Sequence, residues 1–425
     1  MRRAVHTLLF LDPGHFHAAL ALRAPHPRVR DEIAVYAPDG RELADFLALV
    51  ERFNRRAEAP TRWRPAVIHG DDPATRLIEE RRGDVVVLAG KNGGKARTIR
   101  RLHEAGFHVL ADKPWLVDAA DLADLRPALE GAPVAMEMVT GRHDTTARLM
   151  KRLVDRGDVF GEFRDDGPAI ELESVHYLDK LVDGAPLRRP WWYFDVRVQG
   201  SGAVDIPTHL VDHTQRLVEG AGHRVDDAPR LVSARAWPTS VPVEAFRRIT
   251  GEPGFPDALR PFRAGDALEY LCNAELSYRL SNVEARVSAM WNLAPPAGGG
   301  DTSRAVARGT RAAVVLAQGP ETGGRRRLSV EPRADADQVA RAVLDGVAAW
   351  QADFPGVRAE RAGREILVDV PPALASGHEA HFALVLDELL RAVDEEGWPA
   401  ALAARTLAKY TLLAAAAAAV SAARP

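Results

Sequence analysis

Residues 106–115, GFHVLADKPW, restrict the fold of this chain more than any other stretch. The preceding residues 98–105 have helical composition, and Gly106 is the residue type expected just past a helix end. Residues 107–111 are short and apolar, as a central parallel strand is. Lys113 follows at the carboxyl end of that strand, where open parallel α/β sheets bind their ligands. We therefore expect a ligand at Lys113, the alternative being a surface lysine in a loop.

Strands and helices alternate on both sides of this stretch, which predicts an α/β fold with a Rossmann-type, doubly wound parallel sheet. We place this domain in residues 1–140. Residues 141–425 are expected to form an α+β domain with an open, mostly antiparallel sheet, because residues 268–280 and 283–293 alternate like paired strands. A chain of 425 residues is long enough for two complete cores.

Two loops at predicted strand ends resemble those of the Gfo/Idh/MocA family of nicotinamide-dependent oxidoreductases. The family carries Glu-Lys-Pro after the fifth strand of its dinucleotide-binding domain, and this chain has Asp112-Lys113-Pro114 there. Residues 89–94, AGKNGG, match the Asn-containing turn that the family places beside the nicotinamide. The resemblance implies an NAD cofactor, with NADP as the alternative, bordered by Gly90, Asn92, Asp112 and Lys113.

The turn after the first predicted strand, residues 12–17 (DPGHFH), keeps little of the G-x-G-x-x-G phosphate-binding fingerprint. Only Gly14 is retained, and it still lets the backbone approach a phosphate. We expect Gly14, His15 and Phe16 to border the cofactor. His15 and His17 are equally well explained as polar residues of a cleft loop.

Asp39 follows the second predicted strand, where an acidic side chain binds the ribose diol of NAD and disfavours the extra phosphate of NADP. The other explanation is an ordinary turn, since Asp before Gly is a common turn pair. Arg41 leaves NADP open as the cofactor.

A second motif, residues 200–212, resembles the family's glycine-rich turn followed by Asp-x-Gly-x-His-x-x-Asp. Asp205, His209 and Asp212 share one helical face if a helix starts at Asp205. Pro207 replaces the family's glycine, which is compatible with the first turn of a helix. The alternative is that Asp205 caps the helix and His209 is a core histidine.

This motif supplies the groups that alcohol oxidation requires. A histidine titrates near neutral pH and suits the removal of a hydroxyl proton, and a neighbouring carboxylate orients it. We predict His209 as the base, Asp205 as its partner and Lys113 as the cation that polarises the reacting oxygen. The reverse assignment of lysine and histidine is the alternative.

The second domain opens with an alternating strand, residues 169–177, that leads to His176, Tyr177 and Lys180. We place these three residues in the substrate site, together with Lys113, Asp205 and His209. Residues 136–163 resemble the linker of a subgroup of the family that carries a "putative oxidoreductase C-terminal domain". The resemblance implies that this second domain binds substrate and forms a homo-oligomer, a dimer or tetramer.

Composition excludes several classes of function. A net charge of −3 gives no electrostatic attraction for nucleic acid or a membrane surface. The single cysteine, Cys272, excludes an internal disulfide and a cysteine-based metal site, and no other metal-ligand spacing occurs, so we expect no metal. No secretory signal or membrane span is apparent, which predicts a cytoplasmic protein.

The resemblance implies hydride transfer at a ring hydroxyl or ketone of a carbohydrate-like substrate, a sugar, glycoside or cyclitol. One alternative is a redox-neutral glycoside-cleaving or isomerising enzyme with tightly bound NAD. Another is a non-catalytic sugar- or nucleotide-binding regulator on the same fold. A degenerate binder is expected to lose Lys113 or His209, and both are present.

Overall fold

The computed structural model describes residues 5–182, 185–220, 229–375, 377–395 and 400–423. The chain divides into two compact units. The first comprises Met1–His143 with Gly377–Tyr410, and the second comprises Asp144–Ser376 with Thr411–Pro425.

The first unit is built on a six-stranded parallel sheet whose strands are β1 (Leu8–Leu11), β2 (Glu32–Tyr36), β3 (Arg64–Ile68), β4 (Val85–Leu88), β5 (His108–Ala111) and β6 (Ala135–Glu137). Strands β1 and β4 are apolar and buried along their whole length, as central parallel strands covered on both faces are. The strand order is β3-β2-β1-β4-β5-β6. This is the order of a Rossmann sheet, in which ligands bind at the carboxyl ends of the strands.

The α-helices of the described residues are distributed over both units. They are α1 (His17–Leu20), α2 (Arg41–Arg55), α3 (Pro73–Glu80), α4 (Lys95–Glu104), α5 (Leu122–Ala128), α6 (Thr145–Val154), α7 (Val196–Gln199), α8 (Pro207–Val218), α9 (Val243–Thr250), α10 (Ala336–Ala349), α11 (His381–Asp394) and α12 (Ala400–Ala422). Helix α12 supplies its residues up to Tyr410 to the first unit and the remainder to the second.

Helix α11 joins the first unit through its apolar face. Phe382, Leu386 and Leu389 on α11 lie in the same hydrophobic cluster as Phe10 of β1. Residues 377–410, which the sequence predicts in the second domain, lie in the first unit. The physical reason is that the buried partners of this apolar face belong to the parallel-sheet core, far away in sequence.

The second unit contains a ten-stranded sheet and a two-stranded one. Its strands are β7 (Ile170–Tyr177), β8 (Leu181–Val182), β9 (Ala185–Pro186), β10 (Arg230–Pro242), β11 (Arg263–Ala264), β12 (Ala267–Leu280), β13 (Val283–Asn292), β14 (Thr302–Arg308), β15 (Ala312–Gln318), β16 (Arg327–Pro332), β17 (Arg358–Ala362) and β18 (Glu365–Asp369). The large sheet runs β10-β12-β13-β7-β14-β15-β16-β18-β17, with β11 beside β12, and β8 pairs with β9.

The large sheet is mixed, because β13 pairs with β7 in parallel whereas its other pairs are antiparallel. An aromatic cluster forms part of the core of this unit and includes Trp192, Tyr193, Phe194, Tyr270 and Trp291. The predicted fold class, a Rossmann sheet followed by a largely antiparallel α+β unit, is confirmed. No helix in the described part of the chain has the length and apolarity needed to cross a bilayer.

Candidate active site

The turn between β1 and α1 is tight and lies against the turn after β4. Asp12 adopts a left-handed conformation with φ of 43°, and the N–H of Gly14 donates to the Asp12 carbonyl at 2.8 Å. The N–H of His15 donates to the carbonyl of Ala89 at 2.8 Å. Gly90 permits this close approach, because a Cβ atom there would lie 2.3 Å from the Asp12 carbonyl oxygen.

Two histidines of this turn converge on one carboxylate. The Nδ1 atom of His17 donates to Oδ2 of Asp112 at 3.0 Å. The Nδ1 atom of His15 lies 3.1 Å from the same oxygen. Asp112 directly follows β5, so the cluster joins the carboxyl ends of β1 and β5, the two strands that flank β4.

Burial controls the charge of this cluster. Burial lowers the pKa of His17 to about 3, against the opposing effect of the Asp112 charge. Burial alone would raise the pKa of Asp112, but the neighbouring His17 holds that pKa well below its usual value. At neutral pH the cluster therefore contains a negative carboxylate beside a neutral His17.

Lys95, the first residue of α4, is buried and holds two of the loops together. Its ammonium donates to the side-chain oxygen of Asn92 at 2.6 Å and to the backbone carbonyl of Asp112 at 2.9 Å. Asn92 is also buried. This bridge fixes the turn after β4 to the turn after β5, where Lys113 follows.

Lys113 is half-buried, and its backbone N–H donates to Oδ1 of Asp112 at 2.9 Å. The next two residues anchor this turn, since the indole N–H of Trp115 donates to the carbonyl of Ala111 at 3.1 Å. The Trp115 ring also stacks on Tyr410 with a centroid separation of 5.6 Å. The backbone that carries Lys113 is therefore held by hydrogen bonds on both sides.

A buried ion pair lies next to the Tyr410 side chain that contacts Trp115. The ammonium of Lys409 donates to Glu137 at the end of β6, and both side chains are almost fully buried. The hydroxyl of Tyr410 donates to the other oxygen of Glu137 and accepts the backbone N–H of Trp115 at 3.0 Å. Helix α12 is thus tied to the sheet by charge as well as by packing.

Asp39 and Phe16 are the exposed members of the predicted cofactor residues. The Asp39 side chain is 86% exposed after β2, with its Oδ1 atom 3.1 Å from Nδ1 of His69. Phe16, the residue before α1, is 47% exposed. A carboxylate at the end of β2 has the position from which such folds contact a ribose.

The second predicted motif differs from the expectation in one respect. Helix α8 starts at Pro207, so Asp205 precedes the helix and lies in the turn leading into it. Proline at the first helical position explains this start, since it has no N–H to donate within the helix. His209 is half-buried in the first turn of α8, whereas Asp205 and Asp212 are buried.

The glycine-rich turn before α8 rests on the backbone of β12. The N–H of Gly202 donates to the carbonyl of Leu271 at 2.8 Å. A Cβ atom on Gly202 would lie 2.5 Å from the carbonyl oxygen of Cys272, so only glycine fits. Burial raises the pKa of Cys272 to about 12, with a further contribution from the charge of Asp205.

His176 is held between two polar side chains of the second unit. Its Nε2 atom lies 2.8 Å from the hydroxyl of Ser174, and its Nδ1 atom lies 3.2 Å from Oδ2 of Asp301. The ammonium of Lys180 donates to the same carboxylate oxygen. The structure thus brings His176 and Lys180 together on Asp301, while Tyr177 is buried at the end of β7.

An aromatic and cationic group adjoins His176. The rings of His176 and Trp291 are 4.7 Å apart, and Arg189 lies over both Trp291 and Tyr193. Burial raises the pKa of Tyr193, and the charge of Asp205 adds to this rise. Asp205, predicted from the sequence, is therefore near enough to Tyr193 for its charge to act on that hydroxyl.

Sequence reasoning missed several of these residues. Lys95 could have been found from the scarcity of its residue type, because it is one of only six lysines in the chain. Asp301 lies in residues 292–304, whose glycines and prolines are typical of a loop. That composition gives no indication that the segment supplies a partner for His176. The convergence of His17 with Asp112, 95 residues away, has no local signal. The donor set of His15, His17 and Asp112 has the composition of a metal site, which the expectation of no metal did not anticipate.

The fold and these loops define a two-unit α/β protein whose candidate site lies at the carboxyl edge of a Rossmann sheet. Residues 149–422 match the family described as "Putative oxidoreductase C terminal domain". The chain belongs to this family of Gfo/Idh/MocA-type oxidoreductases, as the sequence motifs predicted. No curated protein matches the chain.

Solved structures show the same architecture. A structure described as a "putative oxidoreductase" from Parabacteroides merdae is 35% identical, covers 99% of both chains and has a TM-score of 0.95. A levoglucosan dehydrogenase in complex with NADH and levoglucosan is 17% identical over 97% of this chain and 96% of its own, with a TM-score of 0.59. A 3-ketoreductase from Actinomadura kijaniata in complex with NADP is 15% identical over 99% of this chain and 98% of its own, with a TM-score of 0.56. The last two, at this identity, establish similarity of fold.

Proposed function

We propose that the protein is an NAD(P)-dependent oxidoreductase that acts on a ring hydroxyl or ketone of a sugar, glycoside or cyclitol. The observation that carries this proposal is the Lys95 bridge, which fixes the turns after β4 and β5 around Asn92 and Lys113. These are the strand ends at which a Rossmann sheet binds a dinucleotide. The NADH and NADP complexes of the two enzymes of similar fold support the same cofactor class.

Several residues of the first unit fit such a cofactor. The exposed carboxylate of Asp39 suits a ribose diol, and NAD is therefore the preferred form. Gly90 keeps the turns after β1 and β4 close together, and Asn92 is preorganised by Lys95. When bound, a nicotinamide would supply the acceptor or donor of hydride.

The chemistry required of the chain itself is proton transfer and charge stabilisation. We assign the ammonium of Lys113 to the reacting oxygen, where it stabilises negative charge as the hydroxyl loses its proton. His209 receives that proton during oxidation and returns it during reduction, with Asp205 as its orienting carboxylate. His176, Tyr177 and Lys180 are assigned to substrate binding, with His176 and Lys180 positioned by Asp301. A homo-oligomeric assembly and a cytoplasmic location stay predictions.

The first test is the identity of the cofactor. The purified protein is denatured, the supernatant is analysed by mass spectrometry, and the stripped protein is titrated with NAD and NADP. Recovery or tight binding of a nicotinamide dinucleotide supports the proposal. Cofactor that stays bound through turnover favours the redox-neutral cycle. Binding of neither dinucleotide overturns the proposal in favour of a non-catalytic regulator.

The assigned roles are tested by substitution. Lys113→Ala and His209→Ala should each lower turnover by roughly 10²–10⁴-fold, because each removes a group that acts on the reacting oxygen or its proton. Lys151→Ala, at a lysine of α6 that pairs with Asp155, and His26→Ala are the matched controls. Full activity of either Lys113→Ala or His209→Ala would remove that residue from its role.

A further inference from the structure

Two histidines of the turn that replaces the glycine-rich fingerprint lie against the same carboxylate oxygen. His15 Nδ1 and His17 Nδ1 lie 3.1 and 3.0 Å from Oδ2 of Asp112. Only His17 hydrogen-bonds to it, whereas the Nδ1 atom of His15 is buried and makes no hydrogen bond. A buried nitrogen without a hydrogen bond, directed at a carboxylate, requires an explanation.

From this geometry we infer that His15, His17 and Asp112 form a binding site for one divalent transition-metal ion, of which Zn²⁺ is the best match. The three donor atoms all lie within 4.8 Å of one another. Two imidazoles and one carboxylate are a donor set that zinc accepts. The site lies wholly within the first unit, beside the turns proposed to hold the dinucleotide.

The distances between donors agree with coordination. Zinc binds imidazole nitrogen and carboxylate oxygen at about 2.0–2.2 Å, which separates the donors of a tetrahedral site by about 3.3–3.5 Å. The donors of an octahedral site at the same bond lengths are separated by about 3 Å. The two observed nitrogen–oxygen distances, 3.0 and 3.1 Å, therefore need a shift of only a few tenths of an ångström. In the metal-bound form both Nδ1 atoms carry no proton, and the ring N–H is on Nε2.

The ligands are supported in the way that metal ligands are. The second oxygen of Asp112 accepts the backbone N–H of Lys113 at 2.9 Å, which orients the carboxylate. The His17 ring packs on Phe382 with a centroid separation of 4.7 Å. The backbone of His15 is fixed to Ala89 at the end of β4. Asp112 directly follows β5, His15 lies in the turn after β1, and His17 is the first residue of α1, so all three positions are fixed by regular elements or by backbone hydrogen bonds.

The site is open on one side. The His15 side chain is 27% exposed, whereas Asp112 and His17 are more buried. Three protein donors leave at least one coordination position for water or an exogenous ligand, as in catalytic rather than structural zinc sites. A cation here also reverses the local electrostatics, because an ionised carboxylate repels an anion that enters this turn and a bound metal attracts it.

The test measures metal binding directly. Untagged full-length protein is freed of metal with a chelator, dialysed and titrated with Zn²⁺ by calorimetry, without dinucleotide. Cobalt substitution then reports the coordination geometry through visible absorption. We expect one Zn²⁺ per chain and a cobalt spectrum with nitrogen and oxygen ligands. His15→Gln, His17→Gln and Asp112→Asn should each weaken binding by at least about 100-fold.

His26→Gln is the matched control, because His26 contacts Asp387 on α11 and lies outside the cluster. Absence of stoichiometric Zn²⁺ binding by the folded wild-type protein overturns the inference, as does unchanged affinity in the three ligand variants. If those variants do not fold, X-ray absorption spectroscopy of the zinc-loaded wild-type protein identifies the ligands instead. A spectrum without imidazole ligands would overturn the inference. Dinucleotide binding is measured in a separate experiment. A protein that binds NAD but not Zn²⁺ would overturn only this inference, and a protein that binds Zn²⁺ but no dinucleotide would overturn only the proposed function.

Discussion

The ammonium of Lys95 donates to the backbone carbonyl of Asp112 at 2.9 Å, although 17 residues separate them in the chain. The same ammonium donates to Asn92. A buried cation thus fixes two loops of the candidate site through a backbone carbonyl of one and a side-chain amide oxygen of the other.

Replacement of Lys95 should therefore destabilise the first unit. Lys95→Met leaves the Asp112 carbonyl and the Asn92 side chain without this donor, and we expect a loss of about 2–3 kcal/mol in the free energy of unfolding. Urea denaturation measures this loss. Lys91→Met, at an exposed lysine of the same turn, should change stability by less than about 0.5 kcal/mol. Equal stability of the two variants would show that the Lys95 bridge contributes nothing.

The Lys409–Glu137 pair should show strong coupling. Removal of one charge leaves the other buried without compensation, so Lys409→Met and Glu137→Gln should each cost about 3–5 kcal/mol. The double variant should cost clearly less than the sum of the two, because it leaves no unpaired charge. The free energies of unfolding of the wild type, the two single variants and the double variant, from thermal and urea denaturation, complete this double-mutant cycle. Simple additivity would contradict the pairing.

Two histidines should make opposite contributions to the pH dependence of stability. Burial lowers the pKa of His213 to about 4, with Arg216 and Arg326 adding to the effect. The unfolded chain therefore binds this proton first, and stability is lost as pH falls from about 6.5 towards 4. His213→Gln should recover about 2 kcal/mol at pH 5 relative to pH 8.

The contribution of His6 to stability changes with pH in the opposite direction. Its hydrogen bond to Asp84 at 2.6 Å raises its pKa, so its contribution is present below pH 6.5 and is lost as pH rises through the raised pKa. His6→Gln should thus cost more stability at pH 5 than at pH 8. Thermal midpoints of both variants and the wild type at the two pH values test the pair. Parallel profiles for His6→Gln and His213→Gln would refute the assignment.

Asp39 should decide the cofactor preference. Asp39→Ala removes a carboxylate suited to the ribose diol and also removes its repulsion of a 2′-phosphate, so NAD should weaken by roughly 10-fold or more while NADP is unchanged or improved. Dissociation constants from calorimetry check this. Glu51→Ala, at an exposed carboxylate paired with Arg55 near the far end of α2, is the control. Equal losses for both dinucleotides would remove Asp39 from ribose binding.

Local patterns predicted much of the fold. The stretch around Lys113 is a buried strand followed by a turn, and β12 and β13 pair around Ser281 as their alternation indicates. The start of strand β14 at Thr302 is not evident from the sequence, because glycines and prolines immediately precede it. The placement of α11 was missed because an apolar helical face does not reveal which distant core it covers.

The candidate site was predictable only where one loop carries its chemistry. Lys113 was predicted from its position after an apolar strand and Asn92 from the resemblance to the family's Asn-containing turn, and both follow strands in the structure. The contacts of His17 with Asp112 and of His176 with Asp301 join residues that are 95 and 125 positions apart. Such contacts depend on strand order and side-chain direction, which no local spacing encodes.

The first unit is assembled from two distant stretches of the chain, Met1–His143 and Gly377–Tyr410. During synthesis the parallel sheet leaves the ribosome long before α11, whose Phe382 and Leu386 share its core. Part of the apolar surface of the nascent sheet therefore stays exposed to solvent while the second unit is translated. A fragment truncated at residue 143 should consequently aggregate, and this sheet is a poor candidate for transplantation as an independent module.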